Sequence, residues 1–173
     1  YGLSLLNKQT GDVQKLLLGM LVRDILILGD EVWIGTSGDG LCRFNYKSGE
    51  TEKFTTQSGL PSNFINSVVY ADGYLWLGTE NGLCHFNPRD KSVQVYSSIL
   101  PLSRTSFNFG SYFKLKNGQL AWGTNNGAVI FAPEALAELP SKGRIFFQDL
   151  AVSGRSVRDN PRFRLSSPVD SLK

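Results

Sequence analysis

The sequence predicts an all-β chain: a partial β-propeller of about three four-stranded blades plus half a blade, followed by the first strands of a β-sandwich. Three observations predict it. A phrase recurs as Trp33-Ile34-Gly35-Thr36, Trp76-Leu77-Gly78-Thr79 and Trp122-Gly123-Thr124. Each copy is followed by a glycine turn and an apolar strand ending in an aromatic, Gly40 to Phe44, Gly82 to Phe86 and Gly127 to Phe131. The glycine of the phrase returns after 43 and then 45 residues, and self-similarity at such a period marks a repeat architecture. Within one period, turn signals cut the chain into four short apolar segments. A four-stranded antiparallel meander of that length is a propeller blade.

The elements follow in order. Gly2 to Leu6 is a partial copy that opens the chain inside a repeat. The next repeat has strands at Ile25 to Leu28, Val32 to Ile34, Leu41 to Phe44 and Thr51 to Phe54, with turns at Gly29-Asp30, Asp39-Gly40 and Ser48-Gly49. The cleanest repeat opens with the β-branched run Phe64 to Tyr70. Asp72-Gly73 and Asn81-Gly82 are two-residue hairpin signals of the type I′ kind, and Val93 to Tyr96 alternates as a half-wet edge strand should. The third full copy has strands near Tyr112 to Leu115, Gln119 to Thr124 and Ala128 to Phe131. It departs from the pattern twice. Aligned on Gly-Thr, Trp122 falls where Leu77 sits and Ala121 where Trp76 sits, and a one-residue shift turns a side chain to the opposite face. A fourth strand is also lacking, because Pro133 opens a short helical turn over Glu134 to Leu139. The organisation expected is therefore propeller blades over 1–133, a linker with a helical turn over 134–143, and the start of an Ig-like sandwich over 144–173.

Composition narrows the function classes. Hydrophobic residues at 41% and charged residues at 19% suit a globular domain. A formal charge of +3, with the basic residues scattered, does not argue for nucleic acid. No apolar run approaches the roughly 20 residues of a membrane span. Cys42 and Cys84 occupy the same position in successive repeats. Their count permits a disulfide, but equivalent sites in neighbouring repeats usually lie beyond the ~7 Å Cα limit, and two buried thiols are the simpler reading. One histidine leaves nothing from which to build a metal site, and no cofactor is expected.

Little catalytic chemistry is legible. Gly35 to Gly40 is glycine-rich, but it leads into a strand and lacks the Lys-Ser/Thr of a phosphate loop. His85 has Arg43 and Ile130 as its repeat equivalents, so the position reads as a blade surface facing a neighbour or solvent. A propeller lyase or hydrolase needs a base, most often histidine, and this one is thin support. A structural propeller that mediates protein contacts is the other alternative. The connections between blades, 57–63 and 98–108, converge on the channel of a propeller, and loops on a rigid scaffold are where function concentrates. Asn63, Asn66, Arg104, Phe107 and Asn108 are the candidate ligand-binding residues: hydrogen-bonding groups with an aromatic face that suit a sugar. Taken singly, each also reads as a solvated turn residue. Trp33, Gly35, Trp76, Gly78, Trp122 and Gly123 read as scaffold, the glycines supplying positive φ and the tryptophans packing blade on blade.

The phrase Leu60-Pro61-Ser62-Asn63-Phe64-Ile65-Asn66-Ser67-Val68, followed by Asp72 to Thr79 and Gly82-Leu83, resembles the two-component regulator propeller repeat. The resemblance covers roughly residues 2–133, and the tail from Arg144 to Val157 resembles the opening of the three-tyrosine Ig-like sandwich that follows such propellers. It implies a periplasmic sensor region of a transmembrane two-component regulator, with no catalytic residues of its own. Binding of a glycan fragment or another small ligand would be reported to a cytoplasmic histidine kinase or similar output module. At ~43 residues per blade the chain holds fewer than the 4–8 blades of a ring. The expected partners are therefore the remaining blades, or another copy of the chain in a homodimer, alongside an oligosaccharide. The isolated fragment is expected to be oligomeric or poorly soluble.

Overall fold

The computed structural model describes residues 2–96, 105–137, 151–152 and 155–156. Two strands of a first blade, β1 (Leu3–Leu6) and β2 (Val13–Leu16), pair as an antiparallel hairpin. Blade II is the meander β3 (Val22–Leu28), β4 (Glu31–Thr36), β5 (Leu41–Asn45) and β6 (Thr51–Phe54), hydrogen-bonded in that order. Blade III repeats it with β7 (Ile65–Ala71), β8 (Tyr74–Thr79), β9 (Gly82–Phe86) and β10 (Val93–Val95). Blade IV is a three-stranded sheet of β11 (Phe107–Lys114), β12 (Leu120–Thr124) and β13 (Gly127–Phe131), after which α1 (Pro133–Ala137) begins at its proline. The chain is an all-β partial propeller. Residues Pro140–Lys173 form a separate unit, in which β14 (Ala151–Val152) pairs antiparallel with β15 (Arg155–Ser156). The other residues expected to open a sandwich lie outside the described ones.

The turns show what the Gly-Thr phrase is for. Asp72 (φ 50°) and Gly73 (φ 84°) are both left-handed, as a type I′ hairpin requires. At the next turn the expectation needs correcting. Thr79 pairs with Gly82, so the loop is Glu80-Asn81 and the glycine is already in the strand. The threonine closes this loop: its Oγ1 donates to the Gly82 carbonyl (2.7 Å) and accepts from the Asn81 N–H (3.0 Å). Thr36 does the same with Gly40 and Asp39, and Thr124 with Gly127 and Asn126.

The glycines of the phrase also need a different explanation. Gly35, Gly78 and Gly123 do not have positive φ, which is found at glycines of the turns and at the strand-opening Gly82 and Gly127. What the glycines of the phrase supply is space. A Cβ at Gly35 would lie 2.9 Å from the Ile65 carbonyl oxygen of the next blade. At Gly78 it would lie 2.5 Å from Ser67 Oγ and 3.0 Å from Phe107 Cβ of blade IV. The missing side chain lets the inner strand of one blade approach the second strand of the previous one.

The apolar core lies between blades. Trp33, Leu41 and Phe54 of blade II pack on Leu75, Leu77, Cys84 and Phe86 of blade III. The Trp33 ring stands 5.5 Å from Phe86. Trp76, Leu83 and Tyr96 of blade III pack on Leu120, Trp122 and Leu136. Val32, Ile34, Cys42 and Phe44 cover the other face of blade II against Leu3 and Leu16 of the first hairpin. Both cysteines are buried and unbridged, and burial pushes the Cys42 thiol up to about 11, so it is a poor nucleophile at neutral pH.

Trp122 is turned the other way, as its register predicts. Trp33 and Trp76 pair with Arg43 and His85. In blade IV the equivalent of His85 is Ile130, and it pairs with Ala121. Trp122 therefore points back at blade III, where its Nε1 donates to Ser67 Oγ (2.8 Å), while its ring stacks on Phe131 of its own blade (5.6 Å, 6°). The opposite face of blade IV carries Phe113, Ala121 and Ile130 in one cross-strand row, and Phe113 and Ile130 are exposed.

Candidate functional site

The inner strands of all three larger blades are bulged near their N-terminal ends. In β3 the pairing steps from Val22↔Thr36 to Asp24↔Gly35, leaving Arg23 extra. In β7 it steps from Ile65↔Thr79 to Ser67↔Gly78, leaving Asn66. In β11 Phe107 pairs with Thr124 and the next pair is Tyr112 with Trp122, so the irregular stretch lengthens to residues 108–111. Bulges break the two-residue alternation and re-aim side chains, and they cluster beside binding sites. Equivalent bulges thus present Arg23, Asn66 and the Asn108–Phe109 stretch from three adjacent strands.

Asp24 binds these strands together. Its Oδ2 accepts the Val68 N–H of blade III (2.7 Å), and its Oδ1 accepts the Tyr112 hydroxyl of blade IV (3.1 Å) and the Ile25 N–H (2.9 Å). Burial and the nearby Asp24 carboxylate hold the Tyr112 phenol above its ordinary range. Arg23 is half-buried, and its Nη2 donates to Ser37 Oγ (3.1 Å). The guanidinium lies over the Phe109 ring, 5.6 Å from its centre. Ser37 in turn forms a β-bridge with Phe64. Phe64 and Phe109 are 40% and 57% exposed, and the guanidinium is held against the second of them.

The candidate residues named from the sequence fall into different settings. Asn63 is half-buried; its Oδ1 accepts the Thr56 N–H (2.8 Å), and its carbonyl accepts Gly38 N–H and Gly40 N–H. It laces the 56–63 connection to the β4–β5 turn. Asn66 is buried, with Nδ2 donating to the Phe107 carbonyl (2.7 Å) and Oδ1 unpartnered among the described residues. Phe107 is the first residue of β11 and not a loop residue, because that strand begins earlier than expected. Its ring is fully buried, edge-on to Trp122 at 6.2 Å. Asn108 is exposed within the long bulge. Arg104 lies outside the described residues. Arg23, Phe64 and Phe109 were not singled out from the sequence. Matching Arg23 to Asn66 across the repeat, and noticing the longer stretch between Phe107 and Tyr112, are the signals that point to them.

His85 is enclosed on the blade III–IV face. Its ring stacks on Tyr74 (4.3 Å, 26°), meets Trp76 edge-on, and in its neutral form accepts the Tyr96 hydroxyl at Nδ1 (2.9 Å). Burial holds its pKa below the ordinary 6.5. The unfolded chain therefore takes up the proton first as pH falls. The stability this site contributes is present above the unfolded value and is lost as pH drops below it. Thermal melts between about pH 7.5 and 5.5, above the range where carboxylates titrate, are expected to show the melting temperature falling. His85→Gln should flatten that fall; an unchanged slope would mean that His85 does not carry it. Among the described residues no group of three or more His, Cys, Asp or Glu is placed to hold a metal.

Comparisons with known proteins agree with this architecture. A family model described as a repeat of unknown function (DUF6923) matches residues 32–132, more than half of the chain. A protein named histidine kinase P4 from Formosa agariphila is 27% identical over 115 residues, which is 65% of this chain and 8% of the kinase. The extracellular domains of two hybrid two-component systems from B. thetaiotaomicron have similar structures. One aligns with a TM-score of 0.61 at 20% identity over 78% of this chain and 18% of its own. The other has a TM-score of 0.57 at 22% identity over 77% and 24%. The chain thus spans less than a quarter of the length of each of these proteins.

Proposed function

Since the chain belongs to the DUF6923 repeat family, we propose that it is a ligand-sensing segment of the extracytoplasmic region of a transmembrane two-component sensor. In this reading it lies in the periplasm, binds a glycan or other small ligand, and passes the event to a cytoplasmic histidine kinase or similar output module. The observation that carries the reading is the agreement of two independent likenesses: the sequence to a histidine kinase, and the fold to extracellular domains of hybrid two-component systems. The fragment itself is not an enzyme in this reading, and the enclosed setting of His85 supports that. The loops and bulges at the N-terminal ends of the inner strands form the ligand site, with Asn63, Asn66, Asn108 and Arg104 as its hydrogen-bonding residues. Phe107 belongs to it as the support beneath Asn66.

The exposed row Phe113–Ala121–Ile130 receives a further blade of the same ring. The two faces that Gly35 and Gly78 present to their neighbours set the precedent, because each takes the inner strand of the following blade. Ligand binding then biases the packing of propeller against the following module, by no more than the ligand's differential affinity for the two states. The test is autophosphorylation of the full-length protein, titrated with oligosaccharide fragments. The expected result is a dose-dependent change that Asn108→Ala shifts to higher concentration. No response in either phosphorylation or melting temperature, across neutral and acidic fragments, would sink the sensing role.

A further inference from the structure

We infer that Arg23 recognises an anionic group on the ligand, so that the ligand is a saccharide bearing an oxyanion, either a carboxylate or a sulfate ester. This rests on the sensing role proposed above and adds the chemical class of the ligand. The argument starts from charge. A guanidinium taken partly out of water gains from a compensating partner. The carboxylate beside it in the chain, Asp24, has both oxygens committed to Val68, Tyr112 and Ile25. Among the described lysines and arginines only Arg23 and Arg43 are half-buried; Arg43 is ion-paired with Glu31 and Glu52, whereas Arg23 has no ion pair among the described residues and is held by Ser37 Oγ and the Phe109 face.

Position supports the same conclusion. The bulge in β3 sets Arg23 out of the ladder, and the equivalent bulges carry Asn66 and Asn108, neutral hydrogen-bonding groups. One charged residue among neutral ones, at the same place in three adjacent strands, gives a site with a single anion-binding point. Arginine's planar fork can take two oxygens of a carboxylate or sulfate at once. The exposed ring of Phe109 lies against it, and the exposed Phe64 is bridged through the backbone to its partner Ser37. They supply apolar faces of the kind that line small-molecule sites and suit the C–H face of a sugar ring.

The test uses the full-length protein and three probes: a glucuronate-containing disaccharide, a sulfated disaccharide and a neutral disaccharide. Affinity is read by calorimetry at two salt concentrations. One or both acidic probes should bind at least about tenfold more tightly than the neutral one, the size of a charge-assisted bidentate contact, and should weaken as salt rises. The comparison of glucuronate with sulfate tells which oxyanion fits. Arg23→Gln should abolish the acidic preference, bringing the acidic probes down to the affinity of the neutral one. Arg23→Lys should restore part of the preference, and Phe109→Ala should weaken all three probes. If neutral probes bind as tightly as acidic ones, or Arg23→Gln binds the acidic probes as the wild type does, this inference falls and the sensing role stands. If none of the three probes binds, this inference falls, and the phosphorylation titration decides the sensing role separately.

Discussion

Trp76→Ala is expected to cost about 3–5 kcal/mol of folding stability, as large aromatic-to-alanine changes in packed cores do. The side chain is fully buried. It stacks on Tyr96 at 5.5 Å, takes the His85 edge at 5.2 Å, and reaches Phe131 of blade IV at 5.1 Å. It therefore joins two strands of its own blade to the next blade. Its Nε1 has no hydrogen-bond partner among the described residues, so the loss is almost entirely one of packing. The cavity is walled on both sides by sheets, which collapse less readily than loops. Denaturant midpoints should place Trp76→Phe between the wild type and Trp76→Ala, since the smaller ring keeps part of the stack. A loss below about 1 kcal/mol for Trp76→Ala, the range of surface substitutions, would mean that blades III and IV do not share a packed core.

The same residue shows what could be read from the sequence and what could not. The Trp-x-Gly-Thr spacing disclosed the blades, because a repeat forces each strand to recur at the same distance from its turn. The reversal of Trp122 was equally legible, since strand periodicity is two and a one-residue offset has only one meaning. The reason for each letter of the phrase was not legible. Gly35 and Gly78 look like turn glycines, yet they answer to atoms about 30 residues away, Ile65 and Phe107. Thr79 looks like an ordinary strand residue, yet its hydroxyl closes the following turn.

The site was the least legible part, for a related reason. Arg23, Asn66 and Asn108 sit at bulges, where the alternation used to assign faces fails. A bulge is visible only once the pairing partner is known. Phe107 looked like a loop aromatic because polar residues precede it; its burial is set by Trp122 of its own blade and by Gly78 across the blade interface. Asn63 was correctly placed on an inter-blade connection, but its side chain caps that connection, which spacing alone does not disclose.

Gly78→Ala and Ser67→Ala should show strong coupling. Alone, Gly78→Ala puts a methyl 2.5 Å from Ser67 Oγ, 3.0 Å from Phe107 Cβ and 3.1 Å from Trp122 Nε1. The backbone at Gly78 is ordinary extended strand, so the cost is steric, of the 1–3 kcal/mol order found for overpacked cores. Alone, Ser67→Ala removes the acceptor of the buried Trp122 Nε1–H and leaves that donor unsatisfied, at about 1–3 kcal/mol. The double variant removes the nearest obstacle to the new methyl group. Its measured loss should therefore be smaller than the sum of the single losses by more than the roughly 0.5 kcal/mol within which independent sites add. Strict additivity in denaturant melts would show that Ser67 is not what Gly78 makes room for. The spacing of the blades would then be set by Phe107 and Trp122 alone.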